Sequence, residues 1–363
     1  LPKVDEMRVR AAWGQAGNSP GPFDALRAYT VAVATGQSST SSALRYSTLG
    51  NPDLKPERAT EVEVGFEADM LNGRLGLDVS YYNSKTHDAL LPVDVAPSTG
   101  FSGTQLQNLG TIANSGFELL LNATPYRNSF LQWETTLALS TNHNELVSFG
   151  DERTPIVLTI YAPVQRYQPG YPLAGYWAAK VQYNADGTLI KTSAGRPILQ
   201  DTSIYVGPST PTREISLSNT ITLFDRFRGY GLVDYKGGHY LFDVKDWRRD
   251  RSGVSWETVN PAANADEVLV RQFASQTYMH ILKADFIKLR DLSVSYDLPP
   301  SLMAPIGVSR STLTLAGHNL KIWTDYRAGD PEVNFTGTDT FNRNDSWTVP
   351  QTRRLSASLT VAF

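Results

Sequence analysis

Apolar and polar residues alternate with period two along most of this chain. In 355–363, Leu355, Ala357, Leu359, Val361 and Phe363 share one face, and Ser356, Ser358 and Thr360 the other. In 61–70, Val62, Val64, Phe66, Ala68 and Met70 oppose Glu61, Glu63, Glu67 and Asp69. Period two is the signature of a strand with one face buried in apolar surroundings. The same reading predicts ten strands, at 4–15, 57–70, 74–87, 112–125, 129–146, 212–223, 227–240, 281–297, 309–324 and 351–363. Near Arg290 and Asp291 the phase slips, which predicts a β-bulge.

The connections alternate as well. Those at 71–73, 126–128 and 224–226 are tight turns; Leu71-Asn72-Gly73 is a hairpin signal. Those at 16–56, 88–111, 147–211, 241–280 and 325–350 are long and rich in Gly, Pro, Ser, Asn and Asp. Long strands with loops on one side and turns on the other predict an antiparallel transmembrane β-barrel, with long extracellular loops and short periplasmic turns. Alternation alone also fits a soluble sandwich or propeller. The strands are longer than those folds use.

Composition narrows the function. The 363 residues include 17 Tyr, 14 Phe, 7 Trp, 27 Gly and no Cys. Disulfides, thiolate metal sites and thiol nucleophiles are thereby excluded for this chain. A net charge of −3 argues against nucleic acid as a partner. No run of ~18 apolar residues exists, so no transmembrane helix is expected. The five His are scattered, no G-x-S-x-G element occurs, and no close carboxylate pair stands out. An enzyme, a cofactor and a metal are not expected. Asn184–Thr188 faintly resembles a calcium loop but lacks the alternating acids, and reads as a turn.

Several segments carry a resemblance. Asn51-Pro52-Asp53-Leu54-Lys55-Pro56-Glu57 resembles the NPxLKPE element of TonB-dependent outer-membrane receptors. The last strand, ending in Phe363, resembles the insertion signal read by the barrel-assembly machinery. Other segments are similar to the SusC/RagA class: Lys3–Asn18, ending in Trp13-Gly14-Gln15-Ala16-Gly17-Asn18; Asn108-Leu109-Gly110 with Asn114–Glu118; Gly170–Trp177; and Phe286–Leu292 with Tyr296–Pro299. So are Gly317-His318-Asn319-Leu320 with Trp323-Thr324-Asp325-Tyr326 and Asp330-Pro331-Glu332, and Pro350–Arg353.

The resemblance implies TonB-dependent import of oligosaccharides or peptides across the outer membrane of a Gram-negative-type cell. It implies outer-membrane lipid, a SusD-like lipoprotein and the TonB-ExbB-ExbD complex as partners. Such receptors are about 22-stranded barrels. Ten strands from Leu1 to Phe363, without plug domain, TonB box or signal peptide, are expected to be the C-terminal portion of that barrel, the last ten strands, with 1–363 one unit. A siderophore or cobalamin receptor is the neighbouring alternative. A non-transporting binding or adhesion module is the alternative from another class.

Candidate ligand residues lie in the long loops: Tyr171, Tyr176 and Trp177 in one, Trp247, Arg248 and Trp256 in the next, and Trp347 in the last. Aromatic faces stack on sugar faces and Arg satisfies hydroxyls. The same aromatics could instead pack the loops. Trp13 and Trp133 are expected to face lipid, and the inward carboxylates Glu61, Glu63, Glu67, Asp69, Asp78, Glu118, Glu134 and Glu214 to meet a plug rather than substrate.

Overall fold

A computed structural model describes residues 3–35, 40–101, 103–150, 154–158, 161–260, 262, 264–273, 278–303, 305, 307–337 and 341–363. Parts of the expected ligand loops 147–211 and 241–280 therefore lie outside the described residues. Among the described residues, ten strands follow one antiparallel path in chain order. They are β1 Val4–Asn18, β2 Glu57–Met70, β3 Leu75–His87, β4 Thr111–Arg127, β5 Leu131–Thr141, β6 Arg213–Leu223, β7 Phe227–Gly237, β8 Phe286–Asp297, β9 Arg310–Thr324 and β10 Arg354–Ala362. Each pairs with the next, and β1 and β10 are the edges of the path.

All ten expected strands exist, with ends moved where the backbone breaks. The expected 129–146 becomes β5 and the short strand His143–Ser148, which pairs with the start of β4. Asn142 between them donates its amide to Thr212 O (3.0 Å). The expected 281–297 splits into Ile281–Lys283 and β8, because Ala284 N bonds His239 O (2.9 Å) outside the ladder. The expected 227–240 stops at Gly237, since Gly238 turns left-handed at φ 80°.

Register sets the faces. Leu217 lies opposite Val233 and Leu137, and Val294 opposite Leu315. Of these, Leu217 (41% accessible), Val294 (55%) and Leu315 (57%) are exposed, and Val233 and Leu137 are half-buried. Water would not tolerate such a band on a soluble protein. A bilayer would.

Aromatics border the band. On the turn side Tyr126 lies opposite Trp133, and Phe227 stacks on Tyr296 at 4.3 Å. Phe130 and Phe224, in neighbouring turns, meet edge to face at 4.5 Å. On the loop side stand Trp13, Tyr235 and Trp323. Phe227 and Tyr235 are eight residues apart on β7. At ~3.3 Å per residue and a tilt near ~40° this is about 20 Å of height, close to the ~25 Å apolar band of outer-membrane barrels.

The long connections carry structure that period two did not announce. Ala28–Thr35 pairs with Thr40–Thr48, and Leu90–Asp94 with Thr104–Asn108. Ile156–Leu158, Gln165–Tyr167, Gly175–Val181 and Leu199–Gly207 make a four-stranded sheet. Helices Val244–Arg251 and Ala265–Phe273 lie in the connection between β7 and β8.

Candidate functional site

The resemblance motifs fold into two clamps at the loop end of the sheet. In the first, Asn51 Nδ2 donates to Leu106 O (3.0 Å) while its Oδ1 accepts Asp53 N (3.1 Å). Lys55 N donates to Asn108 Oδ1 (2.7 Å), and Asn108 Nδ2 returns to Lys55 O (2.7 Å) and Asp88 O (2.9 Å). Glu57, the first residue of β2, accepts Leu90 N (3.2 Å) and Asn18 Nδ2 (2.9 Å). Pro52 and Pro56 restrict the intervening backbone to extended or turn forms, and Leu54 is half-buried beneath it. Two long loops are thus tied together by side-chain amides. Gly110 closes the clamp at φ 66°, and a Cβ there would sit 1.7 Å from Ser148 O.

The second clamp sits on the polar face. The expected bulge is present: the β7–β8 register shifts between Leu232 and Val233, and the β8–β9 register between Leu289 and Asp291. The extra residue is Arg290. Across from it Asn319 is left-handed at φ 51°, a conformation Asn tolerates well, and Leu320 beside it is half-buried. Asn319 Nδ2 reaches Thr352 O (3.4 Å). The bulge turns Arg290 onto Asp234 (2.7 Å) and Glu332.

Lys288, buried, meets Asp330 at 2.9 Å and Glu332 at 2.8 Å. Asp330 also accepts Glu332 N (3.0 Å) and Gln351 N (3.3 Å), with Pro331 buried between the two acids. Burial pushes the Glu332 carboxyl up, but Arg290 and Lys288 outweigh it and hold it at about 2.

Above the clamps, three connections share one core. Tyr176 packs with Val164, Ala178, Phe242, Val244, Trp247 and Ile281. Its hydroxyl donates to Arg343 O and accepts Phe242 N (3.1 Å), so one side chain joins all three connections. Burial raises the phenol's pKa. Nearby, fully buried Asp345 accepts Lys245 Nζ (2.7 Å) and Tyr326 OH (3.0 Å). Asp243 caps helix Val244–Arg251 by accepting Asp246 N (3.1 Å), and burial pushes its carboxyl up to about 6. Asp250 is raised by burial yet held at about 2 by His280, Ser255 and Arg271.

The expected ligand residues divide. Tyr176, Trp177 and Trp247 are buried and pack the loops. Trp177 meets Tyr171 at 4.7 Å and the Arg166 guanidinium at 5.3 Å. Trp247 lies against Phe242, with Arg248 and Arg251 each 5.5 Å from its ring centre. Tyr171 is half-buried against Tyr205. Arg248, Trp256 and Trp347 are exposed. Sequence reading passed over Phe335 and Phe341, which are also exposed in the last long loop. Their aromatic character was the available signal.

Phe363, at the end of the last strand, is 90% exposed. On the polar face Arg10 is held by Glu67 (2.8 Å), Asp78 (2.8 Å) and Glu63 (3.3 Å). Asn184–Thr188 is a turn in which Asp186 accepts Thr188 N (2.9 Å) and Thr188 Oγ1 (2.7 Å). Among the described residues no three His, Cys, Asp or Glu side chains converge to hold a metal.

The family model described as "TonB dependent receptor-like, beta-barrel" matches residues 3–320. The chain belongs to this family. It is an outer-membrane β-barrel family of receptors, not enzymes. The chain is 26% identical over 402 residues to "TonB-dependent receptor P26" of Formosa agariphila, covering 99% of this chain and 40% of the relative. It is 27% identical over 203 residues to "TonB-dependent receptor SusC" of Bacteroides thetaiotaomicron, covering 52% of this chain and 20% of the relative. The fold matches that of the RagAB peptide transporter with a TM-score of 0.79 at 22% identity, covering 100% of this chain and 41% of that one. The chain thus spans about 40% of the length of the curated relatives matched along its whole extent.

Proposed function

We propose that this chain is the C-terminal barrel portion of a TonB-dependent receptor that imports oligosaccharides or peptides across the outer membrane. The carrying observation is the family match over residues 3–320 together with a ten-strand path open at β1 and β10. Open edges of this length demand pairing with further strands. The length of the relatives is consistent with a barrel that supplies them.

In this reading the polar face lines the lumen. Its carboxylates, Glu63, Glu67 and Asp78 among them, meet a plug. The loop core formed around Tyr176 is a rigid platform facing the cell exterior. Arg248, Trp256 and Trp347 offer that platform's open aromatic and cationic contacts to ligand. A SusD-like lipoprotein closes over the same platform, and energy comes from TonB-ExbB-ExbD through the rest of the receptor. The SusC relative and the RagAB fold neighbour support oligosaccharide and peptide respectively, and the substrate class is left as those two.

Uptake tests the proposal. Cells with the intact receptor should take up labelled oligosaccharide or peptide from a mixed pool, and deletion of either the receptor or TonB should abolish that uptake. Uptake that persists without TonB would refute it.

A further inference from the structure

We propose that Arg58 and Lys85 form a binding site for the phosphate of an outer-leaflet lipid headgroup, on the apolar side of β2 and β3. The inference rests on the membrane placement above and adds a chemical specificity to it.

Register puts the residues there. In β2, residues 58, 60, 62 and 64 share a face, with Val62 and Val64 in the apolar band. In β3, residues 81, 83, 85 and 87 share that face, and Arg58 lies opposite His87 while Lys85 lies opposite Thr60. Arg58 and Lys85 are therefore diagonal neighbours, about 7–8 Å apart at the backbone. Both strands have their neighbours, β1 and β4, in place, so the patch does not depend on an open edge.

Height and charge agree. Trp13, Val62, Tyr81 and Phe117 mark the top of the apolar band on these four strands. Lys85 begins four residues above Tyr81, and Arg58 four residues above Val62. At ~3.3 Å per residue and a ~40° tilt that is about 10 Å higher, the level of headgroups above acyl chains. Both side chains are exposed. Among the described residues neither has an ion-pair partner, in a sheet whose polar-face cations Arg10, Lys288 and Arg290 all do.

The surroundings suit a phosphate. The remaining outward positions at this height on these four strands are Gln15, Gly17, Thr60, Asn83, His87, Thr111, Ala113 and Ser115, none of them a carboxylate; beyond them the short strand His143–Ser148 sets Glu145 opposite Ala113 and His143 opposite Ser115 on the same face, 3.6 Å from one another. Gln15 Nε2 donates to Thr60 Oγ1 (3.3 Å), and His87 Nδ1 meets Thr111 Oγ1 at 3.2 Å. Hydroxyls and amides thus flank the two cations, and the carboxylate that register brings to this face, Glu145, lies two strands from Lys85 and already meets His143. Arg offers a planar fork for phosphate oxygens and Lys a point charge. An aliphatic stem lying along the apolar band with its charge at the interface is the usual posture of such residues.

The test uses the receptor purified from outer membranes in detergent. Native mass spectrometry would follow binding of diphosphorylated lipid A, of the same lipid stripped of phosphate, and of inorganic phosphate. Wild-type receptor should retain diphosphorylated lipid A at least tenfold more strongly than the stripped lipid. R58Q/K85Q should lose that preference at least tenfold, and R58K/K85R should restore it. Heat-modifiable gel migration reports that each variant is still a folded barrel; failure of the wild type to show it would sink the membrane reading instead. Equal retention by R58Q/K85Q, or equal binding of the stripped lipid by wild type, overturns the proposal. Displacement of lipid A by millimolar inorganic phosphate would overturn its lipid part.

Discussion

The Arg290 guanidinium grips both carboxylate oxygens of Glu332, at 2.6 and 2.7 Å. It ties the long loop after β9 to a bulge in the barrel wall. Glu332 sits below its ordinary value, so its stabilising contribution is complete above ~4.3 and is lost as pH falls through about 2. Glu332→Gln should remove up to ~3 kcal/mol at neutral pH and erase the acid step below pH ~4. Limited proteolysis of the loop between pH 7 and 2 reads both effects. A loop equally protected in wild type and variant would count against the clamp.

Tyr176→Phe should loosen the loop core and leave the barrel intact. The substitution keeps the ring but strands Phe242 N and Arg343 O, at ~1–3 kcal/mol for each buried orphan. Hydrogen exchange should rise around residues 240–243 and 343–345 and stay unchanged in β5–β7. Unchanged exchange in the loops would show that the bridge carries no weight.

These two contacts mark what period two could and could not announce. The ten wall strands were legible because each has one face in apolar surroundings and one in polar ones. The Arg290 bulge was legible as a phase slip. The loop elements obey no such two-sided contrast. Trp177 and Tyr176 adjoin in sequence yet are both buried, because the sheet at 156–207 is covered on both sides. The amide clamp from Asn51 to Asn108 pairs residues far apart in sequence, and only the motif resemblance pointed at either end. The division of loop aromatics into buried Trp247 and exposed Trp256 depends on tertiary packing, which no spacing encodes.

Asp243→Asn should make the cap of helix Val244–Arg251 more stable at alkaline pH. Asn caps about as well as Asp. The Asp243 carboxyl is raised to about 6 by burial, so its charged form costs stability in full above 6 and the cost vanishes as pH falls towards ~3.9. Protease resistance of the loop should therefore exceed wild type at pH 8 and match it at pH 4. A variant weaker at pH 8 would show that the charge itself is needed.

Trp256→Ala and Trp347→Ala should each weaken capture of the transported ligand about 2- to 12-fold, the loss expected of one stacking contact. Their exposure makes a folding defect unexpected. Trp247→Ala should instead disturb the loop core, which packs around it. Equilibrium binding and loop hydrogen exchange separate these outcomes. Unaltered binding in both exposed-Trp variants would move the ligand site elsewhere.

The central claim is that one face of this sheet meets lipid. This chain has no cysteine, so it adds no background of its own to single spin labels, and any cysteine elsewhere in the receptor would be replaced first. Labels would be introduced by Ile215→Cys through Ile221→Cys, one position at a time, in the receptor reconstituted in bilayers. The account predicts accessibility to lipid-dissolved oxygen that alternates with period two, high at 215, 217, 219 and 221. Uniform accessibility, or a maximum at 216, 218 and 220, would contradict it.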